Sequence, residues 1–449
     1  MTPIPASRVT GITWPAIVDA RAAQYLAAIY QLENTQWLPP EALRRQQFRQ
    51  LNELLHHAFA TTDFYRQRLG NLGFTPQTAV TADFFQTIPL LQREEIQTRL
   101  TEMNSRGIPR EHGRMGLAES SGSTGKPLTI YSTSVSNYFW EAFSLRDHFW
   151  HGRDFSRRHA VIRVGVKNRT SDRWSKAVNS IFASGSNSSL DIREDVDAQI
   201  RWMRKTDPAY LLTYPSNLRE MARRCLKSGI GFPGLRELRT FGETVTPEDR
   251  DLCRQAWGVE IKDTYSAMEI GYLALQCPAH EHYHVMSEGV FLEILDDQGR
   301  PCAPGQVGRV VVTDLHNFAT PLIRYKILDY AEAGDNCDCG RGLPVLKRIM
   351  GRRRNMMKLP DGRTIWPAFS PRNWPGAGRI RQLQIVQKAI DRLVVRLVMP
   401  DAKLGAAEEE AIAGIIRERT DCPLHVEFAY PAAIEKPPNF KFDMFISEI

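Results

Sequence analysis

The spacing of apolar side chains changes character twice along the chain. Between about residues 15 and 70, Leu43, Phe48, Leu51, Leu54, Leu55 and Ala58 recur at helical intervals with Arg and Gln opposite, up to a glycine stop at Gly70. Residues 84–100 give a second helix pair, broken around Pro89, and 135–150 an aromatic-rich helix. From 158 to 265, short apolar runs (158–166, 210–214, 235–241, 259–265) alternate with helical stretches. Those helices cover 196–204, 218–225 (Pro215 ahead of it, Ser216 as its cap) and 247–257. Strand and helix in that rhythm require crossover connections and a largely parallel sheet.

Beyond Tyr265 the alternation becomes antiparallel, with strands at 290–295, 308–313 and 322–325 and a turn at 296–299. Residues 351–360 are basic and irregular and read as a linker. The end of the chain reads as strand (380–387), strand (393–399), helix (406–419) and strand (424–429). That order suits a compact α+β unit. The expected class is α/β: a large multi-subdomain region, 1–351, with a β-rich subdomain, and a small α+β domain, 352–449.

A chain of 449 residues is too long for one core, in keeping with two domains. No run of about 18 apolar residues exists, so no membrane span is expected. The N-terminus lacks a basic-then-apolar signal segment, which points to the cytoplasm. The net charge of +7, from 58 basic and 51 acidic residues, suits a small anionic substrate. Basic clusters at Arg44-Arg45, Arg157-Arg158 and Arg352-Arg353-Arg354 are scattered and lack aromatic interleaving, so they read as solvated faces and not as a nucleic-acid groove. Seven cysteines, an odd number, argue against a disulfide framework.

One stretch concentrates chemistry: Glu119-Ser120-Ser121-Gly122-Ser123-Thr124-Gly125-Lys126-Pro127. Gly122 and Gly125 permit backbone conformations that let successive N–H groups converge on an anion. The serine and threonine hydroxyls add donors, and Lys126 adds a compact positive charge. The loop reads as a phosphate cradle or as an ordinary Gly/Ser turn. It is not a Walker loop, because the four-residue gap and the hydroxyl residue after lysine are missing.

A second cluster concerns metal. Cys277, His284, Cys337 and Cys339 supply three sulfurs and a nitrogen, a common structural zinc set, with His280 and His282 as alternative ligands. Free thiols and a loop histidine are the other reading.

The cradle does not stand alone. The order Ser-Ser-Gly-Ser-Thr-Gly-Lys-Pro, Gly242-Glu243-Thr244, Tyr265-Ser266-Ala267-Met268-Glu269, Pro321-Leu-Ile-Arg-Tyr325, Asp329, Cys337-Asp-Cys-Gly-Arg341 and Gly351-Arg352 resembles the phenylacetate–CoA ligase-like branch of the acyl-adenylate-forming superfamily. The resemblance runs from about residue 45 to the C-terminus. It implies activation of a carboxylic acid by ATP to an acyl-adenylate, then transfer to a thiol, usually that of coenzyme A. Positioning and charge stabilisation dominate such chemistry.

By the same resemblance, residues 120–126 cradle the β,γ-phosphates with Thr124 near the metal, and Glu269 is a magnesium ligand. Tyr265 and the Gly242-Glu243-Thr244 backbone, with Ser266 beside them, face adenine; Asp329 takes the ribose hydroxyls and Arg352 sits at the hinge of a mobile lid. Lys441 is the expected adenylation lysine, with Lys436 as a rival. Trp140, Phe143, Tyr214, Ser266 and Ala267 are nominated for the acyl pocket; apolar walls suit an aryl or arylacetic acid, while Trp140 and Phe143 equally suit a helix core.

Three features depart from the family pattern. Arg354-Asn355 replace an acidic pair. Phe440, Asp443 and Met444 replace the glycine and the basic residues around the terminal lysine. Leu328 replaces a glycine before Asp329. The acceptor stays open between CoA, a carrier-protein phosphopantetheine and an amine, and a non-catalytic homologue is the remaining alternative. The sequence names no oligomeric state.

Overall fold

In the computed structural model, which describes residues 4–119, 127–367, 369, 374–399, 402–435 and 442–449, twelve strands form one continuous sheet through the large region. Its parallel half runs Asn187–Asp191, His159–Arg163, Tyr210–Thr213, Glu237–Phe241 and Glu260–Ala267. Helices Val196–Thr206, Pro215–Ser228 and Pro247–Trp257 belong to its crossovers. Their apolar stripes, including Ile200, Leu218 and Cys253, share a core with strand residues Ile162, Leu211, Leu238 and Ile261. Such two-sided burial is why these strands read as unbroken apolar runs.

At Glu260–Ala267 the direction changes. Its other neighbour, Gly271–Gln276, is antiparallel, and so are all strands beyond it: Tyr283–Val285, Val345–Arg352, Tyr325–Ala333, Val307–Asp314 and Val290–Leu295. The β-rich part is therefore an extension of the same sheet. A change from long crossovers to short turns marks antiparallel pairing and leaves the sheet unbroken.

The N-terminal helices pack on this half. Leu51, Leu54, Leu55, Phe85 and Ile96 share a core with Val310, Val312 and Tyr325. A separate hairpin pairs Met115–Glu119 with Thr129–Thr133, Glu119 opposite Thr129, so residues 120–128 form its connection. No helix among the described residues is long and apolar enough to cross a membrane.

The C-terminal sheet runs His425–Ala429, Arg392–Val398, Gln382–Ala389, Phe445–Ser447. With helix Ala406–Thr420 it encloses its own core, from Met357 through Ile385, Val395 and Ile412 to Phe445. The last element is a strand parallel to Gln382–Ala389. Two local readings change. Helix Pro215–Ser228 starts at its proline, whose missing N–H suits the first helical position, so Ser216 lies within the helix and is not its cap. The stretch expected as a linker continues strand Val345–Arg352 into a short turn, Arg353–Asn355, and the strand Met357–Lys358.

Gly342 fixes how the cysteine-bearing loop meets the N-terminal helices. Its N–H donates to Gln36 O at 2.9 Å, and an added Cβ would stand 1.8 Å from Leu38 O. Backbone cannot yield as a side-chain tip can, so Gly342→Ala is expected to destabilise the protein by about 3 kcal/mol. Denaturant unfolding reads this directly; an unchanged midpoint would place that loop elsewhere.

Candidate active site

Tyr265 stands at the parallel-to-antiparallel switch, beside an irregularity in register between Tyr265 and Ser266. Bulges of this kind re-aim side chains next to sites. Its hydroxyl donates to Asp329 Oδ2 at 2.8 Å, and Arg352 Nε lies 3.6 Å from Asp329 Oδ1. Burial first, and the Asp329 carboxylate second, hold the Tyr265 phenol well above its usual pKa, so it remains a neutral donor. Asp329 and Arg352 are paired across neighbouring strands. Three residues expected at one nucleotide are thus in contact through one carboxylate.

The route to Asp329 is irregular. Arg309 pairs with Tyr330 but Val311 with Lys326, so strand Tyr325–Ala333 bulges over residues 327–329. Leu328 has φ 71°, a conformation that glycine adopts without cost. The substitution of leucine for glycine therefore keeps the backbone path at a cost of about 1–2 kcal/mol.

Glu269 lies in the turn between strands Glu260–Ala267 and Gly271–Gln276, away from any helix start. Tyr325 Oη donates to Glu269 Oε1 at 3.4 Å, and Arg93 Nη1 is 4.0 Å from the same oxygen. Arg93 also reaches Tyr325 Oη at 3.5 Å. All three are buried. Sequence reasoning missed Arg93. Its signal is a cation at the first residue of helix Arg93–Met103, where the helix dipole favours anions such as its neighbours Glu94 and Glu95. Arg324 of the same Pro-Leu-Ile-Arg-Tyr motif faces elsewhere: it binds Glu293 and the carbonyls of Gln86 and Ile88.

On the other wall, Gly242 has φ 76° and begins the turn to Thr244. Thr244 Oγ1 lies 3.2 Å from where a Cβ on Gly351 would stand, with Asn355 Oδ1 at 3.3 Å. The Gly242–Thr244 turn and the Gly351–Asn355 stretch are thus neighbours. Asn355 Oδ1 accepts from Arg352 N at 3.0 Å, and its amide donates to Phe445 O at 2.9 Å. Arg354 Nη2 meets Asp443 Oδ2 at 2.5 Å. Two of the three departures therefore compensate each other. Where the family pattern has acid at the hinge and base on the tail, this chain has base at the hinge and acid on the tail.

Of the acyl-pocket nominees, Trp140 is half-buried, 5.1 Å ring to ring from Tyr272 and against Gly271, close to the Ala267 end of the switch strand. Tyr214 packs on Phe241 at 4.7 Å. Phe143 is enclosed in a core with Ala142, Trp150 and Met286. It is a core residue at helical spacing. Residues 120–126 and both Lys436 and Lys441 lie outside the described residues.

At the far end of the antiparallel strands, Cys277, His284, Cys337 and Cys339 come together, their ligand atoms within 4.8 Å of one another. Cys277 Sγ and Cys337 Sγ are 3.9 Å apart, and Cys339 Sγ is 3.4 Å from His284 Nε2. A tetrahedral zinc with ordinary bond lengths gives edges of about 3.8 Å between sulfurs and about 3.6 Å from sulfur to nitrogen. His284 Nδ1 lies 3.3 Å from Leu343 O, which can only accept, so Nε2 is left with its lone pair. His282 Nε2 touches Cys337 Sγ at 3.1 Å from outside the four.

No protein-family model matches the chain. It is 25% identical over 329 residues to a phenylacetate-coenzyme A ligase of Pseudomonas putida, covering 71% of this chain and 72% of that one. It is 24% identical over 353 residues to the ligase of the same name from Thermus thermophilus, covering 76% of each. A crystal structure of 2-hydroxyisobutyryl-CoA ligase in the postadenylation state, in complex with R3-HIB-AMP, superposes with a TM-score of 0.73 at 17% identity, covering 93% of this chain and 92% of that one. The chain has the fold of the acyl-adenylate-forming CoA ligases. Its sequence resemblance to the phenylacetate–CoA ligases holds over most of its length. Against the same 2-hydroxyisobutyryl-CoA ligase in the thioesterification state, with 2-HIB-AMP and CoA, the TM-score falls to 0.60 at 18% identity, covering 92% and 91%.

The swapped charges give a direct test. A double-mutant cycle on Arg354→Ala and Asp443→Ala is expected to return a coupling of about 1 kcal/mol, since both side chains are partly exposed. Additive effects on unfolding would show that the two departures are unrelated.

Proposed function

We propose that this protein is an ATP-dependent, AMP-forming acid–thiol ligase, joining a carboxylic acid first to AMP and then to coenzyme A. The observation that carries it is the meeting of Tyr265, Asp329 and Arg352 at the switch point of the sheet, with the buried Glu269 in the next turn. The carboxyl ends of parallel strands, where Tyr265 stands, are where open α/β sheets bind ligands.

In this reading the carboxylate oxygen of the acid attacks the α-phosphorus of ATP and pyrophosphate leaves. Asp329 accepts from the ribose hydroxyls, and the Gly242–Thr244 turn lies along the base. Glu269, a hard oxygen donor, is the residue to hold Mg²⁺, which supplies charge neutralisation on the phosphates. Arg93 beside it adds a second cation on the phosphate side. The serine-rich loop 120–126, including Thr124 and Lys126, is assigned the terminal phosphates, and Lys441 the developing charge on the α-phosphate and the acid. The small domain, 352–449, acts as the moving lid about Gly351 and Arg352.

An aryl or arylacetic acid remains the favoured substrate class, with Trp140 and Ala267 as walls; Tyr214 is enclosed in the core of the parallel strands. Phe143 is withdrawn because its ring is spent in the core. The four-residue cluster at Cys277 is assigned a closed, structural zinc ion that ties the strand end at Cys277 to the loop at Cys337–Cys339, away from the chemistry.

Pyrophosphate release measured across a panel of carboxylic acids, each with and without CoA, tests the assignment. The expected result is acid-dependent release, with a thioester appearing only when CoA is present; release that no acid stimulates would refute it. A unit charge pair at 4 Å and an effective dielectric near 20 is worth about 4 kcal/mol. Lys441→Ala is therefore expected to slow acid-dependent release by about 10²- to 10³-fold, with a comparable rate in the variant pointing to Lys436 instead. For the metal, elemental analysis of purified protein should find about one zinc per chain. Cys339→Ser should lose most of it together with several degrees of melting temperature; metal-free protein with an unchanged melting curve would mean free thiols.

A further inference from the structure

The tail of the lid is tied to its own domain at several points and to the large domain by one conspicuous bond. Asp443 pairs with Arg354, Phe445 O accepts from Asn355, Asp443 O accepts from Gln384 Nε2 at 3.2 Å, and Met444 O accepts from Ile385 N at 2.8 Å. All of these partners travel with the lid. Phe442 N instead donates to Glu243 Oε1 at 2.9 Å, across the boundary between the domains.

Glu243 is built to receive it. Its Oε1 also accepts from Ser216 Oγ at 3.0 Å and its Oε2 from Ser216 N at 2.9 Å. Ser216 N is one of the amides at the start of helix Pro215–Ser228 that find no partner within the helix. The carboxylate thus sits at a helix N-terminus, held on the large domain, with one lone pair turned to the tail. Other groups facing it are Arg219, one turn further along the same helix, and the Phe442 backbone. Burial raises its pKa and these donors oppose the rise.

We propose that Glu243 is a positioning residue: a latch that holds the lid tail by the Phe442 amide during acid activation and must let go before transfer to the thiol. This rests on the ligase reading. Phe442 directly follows Lys441 in the chain, so a catch on its N–H fixes the backbone next to the assigned adenylation lysine. A backbone amide is an apt handle, because the bond is lost completely once the lid turns, whatever side chain stands at position 442. The swapped pair Arg354–Asp443 makes the tail and hinge one rigid piece, so the pull of the latch is transmitted to the whole lid.

The test is Glu243→Gln, which keeps the shape but faces an amide NH₂ towards donors. Three quantities are measured: acid-dependent exchange of pyrophosphate into ATP, thioester formation from chemically supplied acyl-adenylate plus CoA, and hydrogen exchange of the tail peptide containing Phe442. The latch predicts that pyrophosphate exchange falls about 10- to 100-fold, the worth of a hydrogen bond to a charged acceptor. Thioester formation should fall much less than pyrophosphate exchange, and tail amides should exchange faster. Equal loss in both half-reactions would show a merely structural residue, and unchanged tail exchange would show that Glu243 holds nothing. If no acid supports pyrophosphate exchange in the unaltered protein, the ligase reading fails, while the tail measurement still decides whether the latch exists.

Discussion

A single shared carboxylate organises this molecule. Asp329 receives the Tyr265 hydroxyl from the last parallel strand and lies against Arg352 at the start of the lid. A buried phenol donor beside a carboxylate is costly to leave unpaired, so the bond pins the strand at the switch to the bulge at 327–329. The guanidinium of Arg352 then couples that pinned point to the hinge. Sheet, bulge and the segment leading into the C-terminal sheet are thereby tied at one point.

The topology explains why this should happen here and not elsewhere. Parallel strands end together at one edge, and at Glu260–Ala267 the next strand turns back along the same sheet. The parallel run of the twelve-stranded sheet ends on one side at Glu260–Ala267, and the turn after that strand carries Glu269. The cysteine cluster sits at the opposite end of the same strands. Strand Val345–Arg352 begins near it and finishes at the hinge, roughly 20 Å away at strand rise.

Much of this was legible in the sequence, and the parts that were not share a cause. Motifs that carry their chemistry in consecutive residues, such as Gly242-Glu243-Thr244 and Tyr265 to Glu269, were read in the right order. The cysteine and histidine set was found because its residue types are rare and chemically narrow. Arg93 escaped, because one arginine in a polar helix start looks like surface until the fold brings Glu269 to it. Phe143 was overvalued for the converse reason: helical spacing places an aromatic on a face without saying whether that face meets a cavity or a core. The continuity of the sheet was invisible, since strand pairing between distant segments leaves no local trace.

The departures from the family pattern carry the sharpest lesson. Read separately, Arg354, Asn355 and Asp443 look like losses at a hinge and a tail, and they support a scaffold that has given up turnover. Read in space, Arg354 and Asp443 form one ion pair with its charges exchanged, and Asn355 bonds both the hinge amide and the tail carbonyl. Random decay removes one partner and leaves the other exposed to an unpaired charge; a reversed pair keeps the attraction. Leu328 follows the same logic, since its left-handed backbone preserves the path that a glycine would take at no strain. That left-handed turn carries the chain to Asp329, where it meets Tyr265 and Arg352.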